Sequence, residues 1–194
     1  MLTEAEITQF KNEGYLVKRG IIDQDYCARA RERLWDDPAP SMKQDDPDSW
    51  VGPFKEDEES EDPQNFKRGY RWQYRKVGKE DWMVEGLSRH PFVQVVVTQL
   101  LGEDRFTQPK GVRGIYCTLP QANAERKPRH VHIDEGPSTL GFVCYVDRVD
   151  PDGGGFTVWP RSHKRMYYTS SSRHLGEYGE TYQTVKKDLD ETWE

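Results

Sequence analysis

The stretch RHVHIDEGPSTLGFVCYVDRVDPDGGGFTVWPRSHKR, residues 129–165, decides how the chain is read. It opens on His130 and His132, two apart, with Asp134 two further on. Side chains of a strand alternate between faces, so on a strand these three share one face. An imidazole and a carboxylate aimed at one point are two parts of a two-histidine, one-carboxylate metal face. That donor set suits Fe(II) and leaves positions open for O2 and a co-substrate. The tripeptide His132-Ile133-Asp134 is short enough to arise by chance, and a solvated strand end reads the same way. His130, His132 and Glu135 offer a second set of closely spaced metal-ligating side chains.

The rest of the stretch alternates β-branched or aromatic runs with turn signals. STLGFVCYVDRV is followed by the turn DPDGGG, then GFTVWP, then PRSHK. Just upstream, GVRGIYCTLP has the same character. This spacing predicts antiparallel strands of a barrel or jelly roll from about residue 111 onward. Gly153, Gly154 and Gly155 predict a tight turn with positive φ. Trp159 is expected in the core. Ser162 and His163 are expected to close a turn by hydrogen bonding. Tyr116 and Thr118 share a strand face, with a core or rim role expected for both.

The first 110 residues read differently. Thr3 and Glu6 spell a capping box, and Gly14 suits a left-handed helix end. YLVKRGII predicts a short strand. Asp23 is placed to cap a helix over QDYCARARERLW, which stops before Pro38 and Pro40. Residues 37–65 hold five prolines and the acidic run KEDEESED, and predict a long surface loop. KRGYRWQYRK predicts a solvated hairpin rather than a nucleic-acid strip. In HPFVQVVVTQLLG, Pro91 and Gly102 bracket a helix. The fold class expected is α+β, mainly β, in a single domain over 1–194. An N-terminal helical part with the acidic loop covers 1–110, and the first half of a β-helix covers 111–194.

Composition narrows the function. The 194 residues carry a net charge of -6, which argues against a nucleic-acid partner. Three cysteines, Cys27, Cys117 and Cys144, are widely spaced and contain no C-x-x-C. The N-terminus lacks the pattern of a signal peptide, and no run approaches the ~18 apolar residues of a membrane span. The expected setting is the reducing cytoplasm, with a small-molecule partner and no membrane.

HVHIDEGPSTLGFVCYVDRVDPDGGGFTVWPRSHKR resembles the phytanoyl-CoA dioxygenase family, whose members are Fe(II)- and 2-oxoglutarate-dependent oxygenases. The opening LTEAEITQFKNEGYLVKRGIID resembles the N-terminal helix and strand of that family. The likeness implies a double-stranded β-helix and the hydroxylation of a small-molecule or acyl substrate. It implies His132 and Asp134 as metal ligands, with Fe(II), 2-oxoglutarate as co-substrate, and ascorbate as a supporting reductant. It also implies a distal histidine and, after it, an arginine that pairs with the 2-oxoglutarate carboxylate. Here the last histidine is His174 and the last arginine Arg173. The expectation is therefore a domain lacking its C-terminal part, with weak Fe(II) binding and strand edges open to self-association. The alternative is a cupin-like jelly roll that binds a metal or small molecule through His130, His132 and Glu135, without oxygenase activity.

Overall fold

A computed structural model describes residues 1–122, 132, 140–151, 153–167 and 179–191. It is mixed helix and sheet, and its contacts divide the chain into two compact units. Met1–Arg19, Arg126–Val143 and Phe156–Glu194 make one; Gly20–Glu125 and Cys144–Gly155 make the other.

In the first unit, α1 spans Glu4–Glu13. The Thr3 hydroxyl accepts from the Glu6 amide and the Glu6 carboxylate accepts from the Thr3 amide at 2.8 Å, so the capping box forms. Gly14 ends the helix at φ 84°, a left-handed conformation that costs glycine little. Lys18 Nζ donates to Glu6 at 2.5 Å, and this bond, followed by that of the Thr3 amide, pulls the Glu6 carboxyl down from 4.5 to about 2. The folded value lies below the unfolded one. Glu6 therefore contributes fully above pH 4.5, and its contribution is lost as pH falls from there towards about 2. Fraying of α1 across that window is expected in the NMR shifts of the Thr3 and Glu6 amides during acid titration.

YLVKRGII forms no strand. Gly20 turns at φ 67° inside the run, and Val17 is exposed. Later in the same unit α5 spans Ser162–Met166 and α6 spans Gly179–Glu191. Val185 and Leu189 lie four apart on one face of α6 and pack with Met166 and Trp159.

The second unit is organised by β1 (Asn65–Arg68), β2 (Arg71–Tyr74) and β3 (Ile115–Thr118), an antiparallel sheet in that order. Registers Lys67↔Trp72↔Cys117 and Asn65↔Tyr74↔Ile115 set those six side chains on one face. That face packs into a core with Ala30, Ala39, Met42, Phe54, Val77, Met83 and Leu119. Trp72 is fully buried, and Trp35 and Phe54 meet it edge-on at 6.1 and 6.5 Å. Its indole donates to Asn65 Oδ1 at 2.8 Å, and Asn65 Nδ2 donates to the Asp37 carbonyl at 3.0 Å, so the buried amide is satisfied.

KRGYRWQYRK thus forms the expected hairpin, but one of its faces is core rather than solvated. Even Lys67 is buried, with its ammonium 3.8 Å from Asp37. Burial pushes its pKa down, against the pull of Asp37. Removing such a charge together with its desolvation cost is often neutral or favourable. Lys67→Met is expected to change stability by less than ~1 kcal/mol in urea unfolding, whereas Lys67→Ala, which opens a cavity, is expected to lose more.

Around the sheet, α2 spans Gln24–Leu34, α3 Asp81–Met83 and α4 Pro91–Leu101, with a π-helical turn over Val84–Ser88. Asp23 occupies the cap position of α2, but its side chain makes no capping bond. Helix α4 is bracketed as expected, with proline in its first turn and Gly102 at its end. The acidic segment is not a detached surface loop. Ser60 and Lys67 exchange backbone hydrogen bonds at 2.8 Å, and the Phe54 amide donates to the Gly69 carbonyl at 2.8 Å. The Glu58 carboxylate takes both the amide and the hydroxyl of Ser41 at 2.7 Å. These bonds lay the segment along the hairpin and seat Ala39, Met42 and Phe54 in the core.

Candidate functional site

Strand β3 leads toward the His-x-Asp stretch. Ile115 is buried in the core, while Tyr116 and Thr118 occupy the opposite face. Tyr116 sits at the rim: Arg75 Nε donates to its hydroxyl at 3.0 Å, and Arg75 also donates to Gln73 at 2.6 Å. Tyr116, Gln73 and Arg75 are thereby locked together on the outer face, a cluster that their sequence separation conceals. The glycine turn reaches the same face. Gly154 adopts φ 75°, and a Cβ on it would stand 3.1 Å from the Thr118 side chain. The Gly153 amide closes the turn onto the Asp150 carbonyl at 2.8 Å. The expected positive-φ turn is therefore present at Gly154, where glycine suits the conformation and a Cβ would be tight against Thr118.

His132 is exposed and outside any strand, and it belongs to no group of three potential metal-ligating side chains among the described residues. Asp134, His130, Glu135, Arg173 and His174 lie outside the described residues. Residues 140–151 and 153–160, apart from turns and bends, carry no strand pairing among the described residues, although their sequence alternates as strands do. An apolar run becomes a strand only where a neighbouring strand takes its amides and carbonyls.

Beyond the glycine turn, the Pro-Arg-Ser-His segment has a structural role. The Arg161 amide donates to the Glu13 carbonyl at 2.8 Å, and its guanidinium pairs with the Glu13 carboxylate at 3.2 Å. His163 Nε2 lies 3.1 Å from the Lys11 carbonyl, within hydrogen-bonding reach. A Cβ on Gly14 would stand 2.3 Å from the His163 ring, so the glycine ending α1 also makes room for it. Trp159 donates its indole N–H to the Leu189 carbonyl at 2.8 Å and packs on Met166, the core role expected of it.

In the second unit an open concavity of about 360 Å³ is lined by Asp23, Gln24, Asp25, Tyr26, Gly86 and His90. Two of its polar groups are already engaged. His90 Nδ1 caps α4 by accepting from the Phe92 amide at 3.2 Å. The Tyr26 hydroxyl faces Met83 Sδ at 2.9 Å, and burial raises its pKa above the ordinary range. Nearby, the Arg33 guanidinium and then the Trp82 indole hold the Glu80 carboxyl below the usual carboxylate range. Glu80 is thus a fixed anion rather than a proton carrier. No helix among the described residues is long and apolar enough to cross a membrane. Compared with family models, with curated proteins and with solved structures, the chain matches none.

Proposed function

We propose that the chain belongs to an Fe(II)- and 2-oxoglutarate-dependent oxygenase with a jelly-roll, double-stranded β-helix domain, acting on a small-molecule or acyl substrate. The observation that carries the reading is the order of its parts. Antiparallel β3 is followed by His132-Ile133-Asp134, then by a glycine turn with φ 75° at Gly154, then by Pro-Arg-Ser-His. The donor chemistry fits iron, since a neutral imidazole and a hard carboxylate two residues apart suit Fe(II). His132 is exposed. His132 and Asp134 would hold the metal, which with 2-oxoglutarate and O2 supplies the oxidising power for hydroxylation.

The chain's own residues have narrower tasks. Asp134 contributes negative charge that favours a divalent cation, and His132 would supply a neutral imidazole donor. Gly154 and Thr118 keep the turn after the motif tight against β3. The test is succinate formation from 2-oxoglutarate in the presence of Fe(II), ascorbate and O2. Turnover, at whatever rate the chain supports, is expected to vanish in His132→Ala and in Asp134→Ala and to persist in His130→Ala. Metal binding without succinate, lost in His130→Ala, would instead establish the cupin-like reading.

A further inference from the structure

We propose that the outer face of the sheet is a binding site for a small-molecule carboxylate, held by Arg75 and Arg71. Arg71 and Gln73 lie on the side of β2 opposite the buried Trp72 and Tyr74, and Arg75, just past the strand, bonds back onto that side. The cross-strand registers put Phe66, Gln73 and Tyr116 in one row of this face, and Arg71 in the next row beside Thr118. Both guanidiniums lean on the row between them. Arg71 lies 5.7 Å from the centre of the Phe66 ring, and Arg75 lies 5.6 Å from that of Tyr116. Strand spacing sets those two rings about 10 Å apart, one on either side of Gln73.

Arg75 is positioned for a carboxylate. A guanidinium presents its N–H donors along a planar rim. Here Nε donates to the Tyr116 hydroxyl at 3.0 Å and Nη2 to Gln73 Oε1 at 2.6 Å. Those two nitrogens share one edge, so neutral acceptors fill that edge and fix the plane. The adjoining edge, with one N–H from Nη1 and the second from Nη2, matches the two oxygens of a carboxylate. Among the described residues neither Arg71 nor Arg75 meets a carboxylate. Arg33, Arg68, Arg89 and Arg148, by contrast, each pair with one. In a chain of net charge -6, the outer face is thus a local cationic patch.

The occupant is a carboxylate on a planar apolar body rather than a polyanion. The exposed Tyr116 and half-buried Phe66 flank the site with ring surface, which suits an apolar body. Two cations are too few to hold a nucleic-acid backbone on a protein of this charge. The glycine turn borders the same face: a Cβ on Gly154 would stand 3.1 Å from Thr118, two residues along β3 from Tyr116. On the oxygenase reading, the acid group is the part of the substrate anchored beside that turn. Carboxylate binding itself needs no metal, so its success or failure is separate from that reading.

The test titrates the isotope-labelled chain with 2-naphthoate, read by amide NMR shifts, with 2-naphthamide as the neutral control. Naphthoate is expected to give saturable shifts at residues 66–75 and 114–118, and naphthamide none. Arg75→Gln and Arg75→Lys should each weaken binding by at least about tenfold, the lysine because it keeps the charge and loses the fork. Arg71→Gln, at an exposed side chain, should weaken it about threefold. Arg89→Gln, which removes the partner of Glu85 outside the sheet, should bind as the parent does. Parent-like affinity in Arg75→Lys, equal binding of naphthamide, or saturable shifts confined to residues outside the sheet would overturn the proposal. So would the absence of saturable naphthoate binding, or stronger shifts of the same amides by poly(U) than by naphthoate.

Discussion

Gly114→Ala is expected to destabilise the chain by roughly 3–5 kcal/mol, an unusually large effect for one added methyl. Gly114 sits just before β3 at φ 95°, where an L side chain is strained. A Cβ there would stand 2.3 Å from the Tyr74 carbonyl oxygen and 2.7 Å from the Arg75 Cα. Both are backbone atoms at the end of β2, so no rotamer change relieves the clash. Either β3 shifts out of register with β2 or the core row Tyr74↔Ile115 opens. Urea unfolding should show a lower midpoint, with loss of amide protection concentrated at residues 71–74 and 115–118. Gly69→Ala provides the contrast. It also has positive φ, 57°, but nothing lies within 4 Å of its Cβ, so its cost should be the conformational part alone, about 1 kcal/mol.

Trp72→Ala is expected to cost about 3–5 kcal/mol by cavity formation alone. It also removes the donor to Asn65 Oδ1, leaving a buried amide oxygen unsatisfied at a further ~1–3 kcal/mol. Trp35 and Phe54 lose the ring they both pack against. Trp72→Phe separates the two effects, since it retains most of the volume but not the N–H. Its expected cost is about 1–3 kcal/mol, carried largely by Asn65. Equilibrium denaturation of both variants checks the ordering: equal losses would remove the role assigned to the cavity, and no loss in Trp72→Phe would remove that assigned to the hydrogen bond.

These effects fall on features that the sequence discloses unevenly. The ends of α1 and α4 were legible because their signals are local: Thr3 and Glu6 three apart, Pro91 and Gly102 at a helix's two limits. The hairpin was legible from its turn and aromatic residues, but its burial was not. Lys67 occupies a core-facing position, so charge alternation hides the inward face, and Asp37, which accompanies it, is far away in sequence. The acidic segment misleads for a similar reason. Its composition is that of a solvated loop, while its placement depends on Glu58 reaching Ser41 and on Ser60 pairing with Lys67.

Strand expectations divided along a physical line. Residues 115–118 found a partner in β2, whereas YLVKRGII and residues 140–160 have strand-like composition without strand pairing among the described residues. Periodicity reports a side-chain preference, and pairing is a long-range event. For the candidate site, the turn at Gly154 and the core role of Trp159 followed from residue type, whereas His163 was expected to close a turn and instead reaches the Lys11 carbonyl at the end of α1. The Arg75–Tyr116–Gln73 cluster depends on cross-strand register, which no local signal reveals.

The measurement that bears most directly on the central claim is an anaerobic Fe(II) titration of the chain, followed by calorimetry, alongside His130→Ala, His132→Ala and Asp134→Ala. If His132 and Asp134 hold the metal, each of their variants loses affinity by at least about tenfold, while His130→Ala stays near the parent. Equal affinity in the parent and in Asp134→Ala would contradict the account.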